Sequence, residues 1–309
     1  MWTRREFLHR SAGAGAALSL PGWVNTPLFL KEEITNLVIL HTNDVHSRVD
    51  PFPQDGSKNA GFGGAAARAA LIEKIRSENE HVLLLDAGDI FQGTPYFNFY
   101  LGELDIKLMS AMKYDATTMG NHDFDGGLEN FEKQIREHAQ FPVIISNYDF
   151  SDNIMHDRHV PRKIFQKGNI KIGVTGVGIE LDGLVPQSLY GNTRYLDPIG
   201  MASQQADILR HDENCDYVIC LSHLGYKYDR EKVSDIALAQ NSRNIDLIIG
   251  GHTHTFMDKP DYFRNKEGKN VIIHQVGWAG IRLGRIDVTF EKNKPHECIS
   301  CEGIWIKES

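Results

Sequence analysis

The sequence predicts an α/β fold in which buried strands alternate with helices. The chain has 309 residues, of which 41% are hydrophobic, so it can bury a substantial core without disulfides. Short apolar runs alternate with segments of helical periodicity along most of its length. Five of the apolar runs end in Asp, Asn or His. Because ligands bind at the carboxyl ends of strands in open α/β sheets, these endings indicate a functional site.

Charge and cysteine content restrict the function classes. The formal net charge is −8, which argues against a nucleic-acid-binding protein but is compatible with a small phosphorylated substrate held by metal ions. Four cysteines are too few for a disulfide scaffold in a chain of this length. Cys298 and Cys301 form a CxxC pair, but no second pair accompanies them, so we interpret them as ordinary strand residues.

The first 30 residues predict a signal peptide. Arg4 and Arg5 are followed by Phe7, Leu8 and a weakly apolar run that is too short to span a bilayer. The adjacent arginines resemble the twin-arginine type of export signal. We therefore expect export to the periplasm or the extracellular space, with a disordered basic leader as the alternative interpretation.

Three predicted strands in the first half of the chain run into residue types that bind metals. They are NLVIL at 36–40, HVLLLDAGD at 81–89 and a short strand within DATTMGNHDFDGG at 115–127. The first strand is followed by a helix with Ala66, Ala70, Ile72 and Ile75 on or near one apolar stripe. The metal-binding residue types at the three strand ends are Asp44, His46, Asp89, Asn121 and His122.

Two predicted strands in the second half end in histidines. DYVICLSHLG at 216–225 ends at His223, and IDLIIGGHTH, which begins at residue 245, ends at His252 and His254. Both strands are almost continuously apolar, as expected for strands that are buried on both faces. The helices predicted between the strands cover residues 62–78, 103–113, 127–139, 201–211 and 229–240.

If the five strands are neighbours, their ends converge on one metal-binding crevice. Carboxylates, an amide oxygen and imidazoles suit Mn, Fe or Zn, and the absence of thiolates argues against a closed structural zinc site. Each motif alone has a simpler interpretation: Asp89 as a helix cap, His223 as a core histidine, and GNHD as a turn. The seven candidate ligands are Asp44, His46, Asp89, Asn121, His223, His252 and His254.

The number of candidate ligands predicts two metal ions. Two metals with four protein ligands each need eight bonds, and seven residues supply eight bonds if one carboxylate bridges. A bridging carboxylate is typical of two-metal hydrolases, whose ions lie about 3.5–4 Å apart. We therefore expect two divalent ions of undetermined identity, Zn, Mn or Fe.

Five motifs in this order resemble the calcineurin-like metallophosphatases. They are HTNDVHSR, DAGDIFQGTP, GNHDFDGG, SHLG and GGHTHT. The HTND and GDIFQGTP forms, and the later stretch HQVGWAGIRLGRIDVTF, look most like the branch of 5′-nucleotidases and UDP-sugar hydrolases. The resemblance covers about residues 34–290. It implies a four-layer α/β/β/α sandwich of two mixed sheets, with residues 31–309 as the catalytic domain after a signal peptide at 1–30.

The resemblance also assigns residue roles. It implies that Asp89 bridges two metals and that His122 and Asp125 form a catalytic His–Asp pair. The alternative for His122 is a supporting role behind the ligands. The ligands that the resemblance implies are Asp44, His46, Asp89 and His254 for one metal, and Asp89, Asn121, His223 and His252 for the other.

The implied activity is that of an exported two-metal phosphohydrolase, 5′-nucleotidase-like, in which a metal-bridged hydroxide attacks a nucleotide or a related phosphate ester. One alternative is a phosphodiesterase, a UDP-sugar hydrolase or a broad phosphomonoesterase. A lower alternative is a non-catalytic binding subunit. Another is a catalytic half that works with a separately encoded nucleotidase C-terminal domain protein.

The sequence departs from the family pattern in three ways. Ser47 replaces a common Gly, and Asp123 replaces a common Glu. We also expect the chain to provide the catalytic domain alone, without the C-terminal substrate-binding domain of two-domain 5′-nucleotidases. The loop aromatics Phe52, Tyr148 and Tyr190 could offer a stacking face for a base, although packing roles are the simpler interpretation. We therefore expect weak discrimination between bases.

Overall fold

The computed structural model of the protein describes residues 34–229, 231–291 and 296–307. The predicted signal peptide at 1–30 lies outside the described residues, so that assignment stays a prediction. Among the helices of the described part, none combines the length and the apolar character that a membrane span requires.

Two mixed sheets form the centre of the fold. The first has seven strands in the order β15-β14-β1-β2-β3-β4-β6, and the second has six in the order β12-β13-β11-β10-β8-β7. A small two-stranded sheet pairs β5 with β9. The strands are β1 (Ile34–Thr42), β2 (Val82–Asp86), β3 (Ala116–Thr117), β4 (Val143–Ile144), β5 (Tyr148–Asp149), β6 (His159–Val160), β7 (Arg162–Lys167), β8 (Ile170–Val177), β9 (Arg194–Tyr195), β10 (Tyr217–Ser222), β11 (Leu247–Gly250), β12 (Asp261–Arg264), β13 (Asn270–His274), β14 (Arg282–Glu291) and β15 (Glu297–Trp305).

The helices occupy the sequence between the strands. A 3₁₀ turn at His122–Phe124 follows β3, and a π-helical turn at Ile208–Asp212 extends one helix. The helices are α1 (Ala65–Glu78), α2 (Pro95–Tyr100), α3 (Glu103–Ala111), α4 (Leu128–His138), α5 (Gln187–Tyr190), α6 (Pro198–Asp207) and α7 (Asp235–Asn241).

The hydrophobic core has three layers, which shows that the two sheets pack face to face between helices. Alternate residues of β1 point to opposite faces of the first sheet. Val38 and Leu40 pack with residues of α1, α3 and α4, whereas Leu37 and Ile39 pack with residues of the second sheet. A third cluster joins the outer face of the second sheet to α6 and α7. The expected α/β/β/α sandwich of two mixed sheets is therefore confirmed.

Most predicted elements are present, and the differences have local causes. The predicted helix 229–240 begins only at Asp235, where the Ser234 hydroxyl accepts from the Ala237 amide and caps the first turn. The short helix α2 was not predicted; Pro95 suits its first turn, and the left-handed Leu101 ends it. Cys298 and Cys301 lie in β15 as free thiols, as expected for ordinary strand residues.

Candidate active site

The five strands that end in candidate ligands bring those ends together. β1, β2 and β3 are adjacent and parallel in the first sheet, and β10 and β11 are adjacent and parallel in the second. Hydrogen bonds join the two sets of ends across the sheets. The His252 amide donates to Asp44 Oδ1 at 2.9 Å, and His223 Nδ1 donates to the Ala87 carbonyl at 2.7 Å. The expected crevice therefore lies at the carboxyl ends of the strands.

The first group of converging ligand atoms contains Asp44, His46 and His254, all within 4.8 Å of one another. The Nε2 atoms of His46 and His254 are 3.0 Å apart. His254 Nε2 lies 3.4 Å from Asp44 Oδ1, and His46 Nε2 lies 4.0 Å from the same oxygen. This group could hold a metal ion.

The second group contains Asp89, His223 and His252, again within 4.8 Å of one another. His223 Nε2 lies 3.0 Å from Asp89 Oδ2, and the Asn121 amide oxygen lies 2.7 Å from His252 Nδ1. Asp89 Oδ2 is also 3.9 Å from His46 Nε2, a member of the first group. Asp89 therefore faces both groups, as a bridging carboxylate must.

The donor atoms fit divalent cations. His223 Nε2 is buried and, despite its distance from Asp89, has no well-aligned hydrogen-bond partner among the described residues. Two other imidazole nitrogens, on His46 and His254, face each other at 3.0 Å. Nitrogen and carboxylate oxygen atoms in such a cluster match the preferences of Zn, Mn and Fe.

Backbone hydrogen bonds orient two of the imidazoles. His46 Nδ1 donates to the Phe91 carbonyl at 3.2 Å, and His223 Nδ1 donates to the Ala87 carbonyl. A proton held on Nδ1 directs the Nε2 of each ring into the site, which is the usual orientation of ligand histidines.

The ligand loops adopt a strained backbone. Left-handed φ angles between 50° and 71° occur at five candidate ligands, all non-glycine residues. Such conformations cost about 1–3 kcal/mol each and cluster at functional sites. Their concentration here indicates that the surrounding hydrogen bonds hold the loops in a functional geometry. The five residues are Asp44, His46, Asp89, His252 and His254.

The titration behaviour of the site reflects a deficit of positive charge. Burial raises the pKa of Asp89, but His223, His46 and His122 together outweigh burial, and the net pKa is lowered. Burial lowers the pKa of His223, but Asp89 and Asp44 overcome it and raise that pKa to about 10. Burial, together with the charge of His223, lowers the pKa of His252 to about 3. A proton on His223 thus occupies the place where a cation would balance the two carboxylates.

His122 lies beside the ligand groups and is paired as expected. Its Nδ1 lies 2.8 Å from Asp125 Oδ2, and its ring centroid is 5.2 Å from that of His46. The hydrogen bond to Asp125, opposed by partial burial, raises the pKa of His122. Asn121 points instead to His252, so adjacent side chains at this strand end diverge as expected.

Asp123 has a role that the sequence did not indicate. Its carboxylate is fully buried and accepts hydrogen bonds from the backbone amides of Gly120, Asp89, Ile90 and Phe91, at 2.8–3.2 Å. These bonds tie the loop after β2 to the loop after β3, and each loop holds a candidate ligand. In the sequence, the only signal was its difference from the family pattern.

The structure also shows the surroundings of Ser47, the second departure from the family pattern, and of the three candidate aromatic residues. Ser47 is buried, and its hydroxyl donates to Asp105 at 3.0 Å, so it anchors the loop after β1. Tyr148 is buried and Tyr190 packs against the core, which identifies both as packing residues. Phe52 is partly exposed and contacts Trp278, whose ring stacks on His254 with centroids 5.7 Å apart.

Comparison with known proteins identifies the family. The family model "Calcineurin-like phosphoesterase" matches residues 37–256. A snake venom 5′-nucleotidase from Crotalus adamanteus is 32% identical over 289 residues, which are 87% of this chain and 48% of that protein. The chain spans about half the length of the curated 5′-nucleotidases it matches.

Solved structures agree with the sequence comparison. The 5′-nucleotidase precursor from Thermus thermophilus superposes with a TM-score of 0.78 and 28% identity, covering 88% of this chain and 55% of that one. The calcineurin-like phosphoesterase YfkN from Bacillus subtilis superposes with a TM-score of 0.69 and 26% identity, covering 89% and 91%. The chain belongs to the calcineurin-like phosphoesterase family.

Proposed function

We propose that the protein is an exported two-metal phosphohydrolase of the 5′-nucleotidase type. The observation that supports this most strongly is the arrangement of two ligand groups around Asp89, with His122 next to them. This arrangement suits attack by water on a phosphate ester rather than a covalent enzyme intermediate, since no nucleophilic side chain is required. The match to family relatives named as 5′-nucleotidases supports the same reaction class.

The two ligand groups would hold two divalent cations. Asp44, His46 and His254 would hold one, and Asn121, His223 and His252 the other, with Asp89 contributing to both. When bound, the cations would supply an activated water near neutral pH and would offset charge on the phosphoryl oxygens. The donor set is compatible with Zn, Mn or Fe.

His122 would act on the phosphoryl group directly. Asp125 accepts a hydrogen bond from Nδ1, so the imidazole is fixed in orientation and in tautomer. The raised pKa favours the protonated ring, whose Nε2–H can donate to a phosphoryl oxygen or to the leaving oxygen. The hydrogen bond from the His122 amide to Asp89 Oδ1, at 2.8 Å, keeps the ring next to the ligand groups.

Substrate and location are proposed from the relatives and from the N-terminal sequence. We propose a nucleotide or a related phosphate ester as the substrate, because the matched relatives are named as 5′-nucleotidases. About half of the length of these relatives has no match in this chain. We therefore also propose a separate substrate-binding protein as a partner. The Arg4–Arg5 pair followed by an apolar run supports export.

A substrate screen tests the proposed function. The purified chain, with metals restored, is assayed against AMP, UDP-glucose, a cyclic nucleotide and a bis-aryl phosphate, beside chelated protein and the His122→Ala variant. We expect phosphate or alcohol release that needs metal and falls strongly in the variant. Absence of turnover on every ester by a protein that has taken up metal would contradict the proposal and favour a binding role.

A further inference from the structure

A cleft lies beside the loop after β1, the loop that also carries Asp44 and His46. It is lined by residues 48–50, which follow β1, and by residues between 94 and 100, which include α2, and its volume is about 390 Å³. Cavities of about 300–1,000 Å³ are typical of small-molecule sites. We call it the Tyr96 cleft, after a tyrosine in its wall.

The lining of the cleft begins shortly after His46 of the first ligand group in the sequence. Arg48 lies two residues after His46, and Thr94, on the opposite wall, donates its hydroxyl to the Ser47 carbonyl at 2.6 Å. Gly93 packs so closely on His46 that a Cβ there would lie 3.0 Å from the His46 Cβ. The His122 ring is also next to His46. A phosphoryl group bound at His46 and His122 would therefore have its alcohol within reach of the cleft.

The walls of the cleft combine aromatic faces with a carboxylate. The rings of Tyr96 and Tyr100 are stacked, with centroids 6.4 Å apart. Phe99 and Tyr100 line the cleft and are 80% and 50% exposed, respectively, so their rings are accessible to a ligand. Asp50 accepts a hydrogen bond from the Tyr96 hydroxyl at 2.7 Å, and its carboxylate has capacity for further donors.

We propose that the Tyr96 cleft binds the alcohol portion of the phosphate ester, a ring-bearing alcohol with hydroxyl groups such as a nucleoside. The exposed rings stack on its base, and Asp50 accepts hydrogen bonds from its sugar hydroxyls. The inference rests on the proposed function, because it assumes that the adjacent centre holds the phosphoryl group. Stacking is tolerant of base identity, so the cleft selects nucleosides as a class.

Binding of adenosine, which carries no phosphate, tests the cleft separately from catalysis. Its Kd is measured by calorimetry for the unaltered chain, for Phe99→Ala/Tyr100→Ala, and for Tyr262→Ala. Tyr262 is 54% exposed in β12, outside the cleft, and serves as the matched control. Because base–aromatic stacking is worth roughly 5- to 150-fold, the double variant should weaken adenosine binding by a factor in that range and the control should not.

A second variant tests the carboxylate. Asp50→Asn should weaken binding of adenosine but leave binding of 2′,3′-dideoxyadenosine, which lacks both hydroxyls, within about twofold. In turnover, the double variant should lose far more kcat/KM on AMP than on glycerol 3-phosphate, which has no ring.

Three results would overturn the cleft assignment: no saturable adenosine binding by the unaltered chain, an unchanged Kd in the double variant, or equal losses on both esters. If adenosine binds through the cleft but the unaltered, metal-loaded chain hydrolyses no ester, the proposed function fails while the cleft stands.

Discussion

At the scale of single residues, the candidate centre depends on imidazoles that keep their lone pairs available. Burial lowers the pKa values of His46 and His252, so both rings stay neutral at physiological pH. Backbone carbonyls hold the Nδ1 protons of His46 and His223 and direct each Nε2 into the site. His122 differs because Asp125 favours its protonated form. We therefore expect the hydrogen-bond partner of each ring to decide whether that ring binds a metal or donates a proton.

His122→Ala should keep the metals and lose turnover. The ring lies beside the ligand groups but bonds to Asp125, so we expect its removal to take away a group that acts on the substrate and not a metal ligand. Proton transfer or charge stabilisation of this kind is worth roughly 10²–10⁴-fold in kcat. Asp125→Asn should show a smaller loss in the same direction. Metal content and kcat are measured together, with the exposed His156→Ala as control. Loss of metal in parallel with activity would make His122 a ligand instead.

Asp123→Asn should weaken metal binding without removing any ligand. The substitution places an amide NH₂ against backbone amides that now donate to a carboxylate, which leaves buried donors unsatisfied. Loss of such a supporting contact typically weakens metal affinity by about 10–100-fold. Metal titration by calorimetry is the measurement, and Asp157→Asn, at an exposed aspartate, is the control. An affinity equal to that of the unaltered chain would show that the loops hold their geometry without this carboxylate.

The residue types of the site could be predicted from the sequence, but the loop geometry could not. Asp44, His223 and His252 follow apolar strands at positions where a parallel sheet must bring side chains together. The left-handed backbone of those loops and the contacts of Asp123 depend on two sheets meeting, which no local pattern encodes. The sequence predicts Tyr148 in a loop. In the structure it lies in β5, which pairs with β9, and its side chain is buried in the core.

At the scale of elements, a pair of buried histidines links the two sheets. His41 Nε2 in β1 lies 2.8 Å from His274 Nδ1 in β13. Burial, and for His41 also the neighbouring ring, lowers both pKa values, that of His274 to about 4. Gly284 of β14 leaves room for the pair, since a Cβ there would lie 2.1 Å from His41 Nε2. The sequence predicts the strand order only in part. The contact between His41 and His274 depends on the full order and on the packing of the two sheets.

This pair predicts that stability falls with pH below about 6.5. The folded-state pKa of His274 is about 4, below the value of 6.5 in the unfolded chain, so the unfolded state binds the proton more readily. The stabilising effect is complete above pH 6.5 and is lost as the pH falls towards 4. Between pH 7.5 and 5.0, His274 alone should account for about 2 kcal/mol of the loss in unfolding free energy.

Urea unfolding of the unaltered chain and of His274→Gln at both pH values measures this loss. The variant should lose less stability over the interval than the unaltered chain, whereas the exposed His156→Gln should behave like the unaltered chain. An equal loss in His274→Gln and the unaltered chain would contradict the assignment.

At the scale of the whole molecule, the two sheets contribute different parts of one site. The first sheet presents both carboxylates, Asp44 and Asp89, together with His122, whereas the second presents His223 and the loop after β11. Neither sheet alone provides a complete ligand group, because each group includes a carboxylate from one sheet and histidine from the other. We therefore expect metal binding to require the packing of both sheets.

The chain should discriminate weakly between bases. The described aromatic surfaces near the site, at Tyr96 and Trp278, offer stacking faces rather than hydrogen-bonding groups specific for one base. We expect kcat/KM values for AMP, UMP and GMP within about tenfold of one another, or about 1.4 kcal/mol. Steady-state kinetics with the metal-loaded chain decides this. A preference of a hundredfold or more for one base would show a dedicated base pocket within this chain.

The central claim is that Asp89 joins two metal sites into one centre. Elemental analysis of the reconstituted, unaltered chain, after removal of loosely bound ions, tests it most directly. The two ligand groups and the shared position of Asp89 predict a saturated content of two divalent ions per chain. A reproducible saturated content of one ion, or none, would contradict the account.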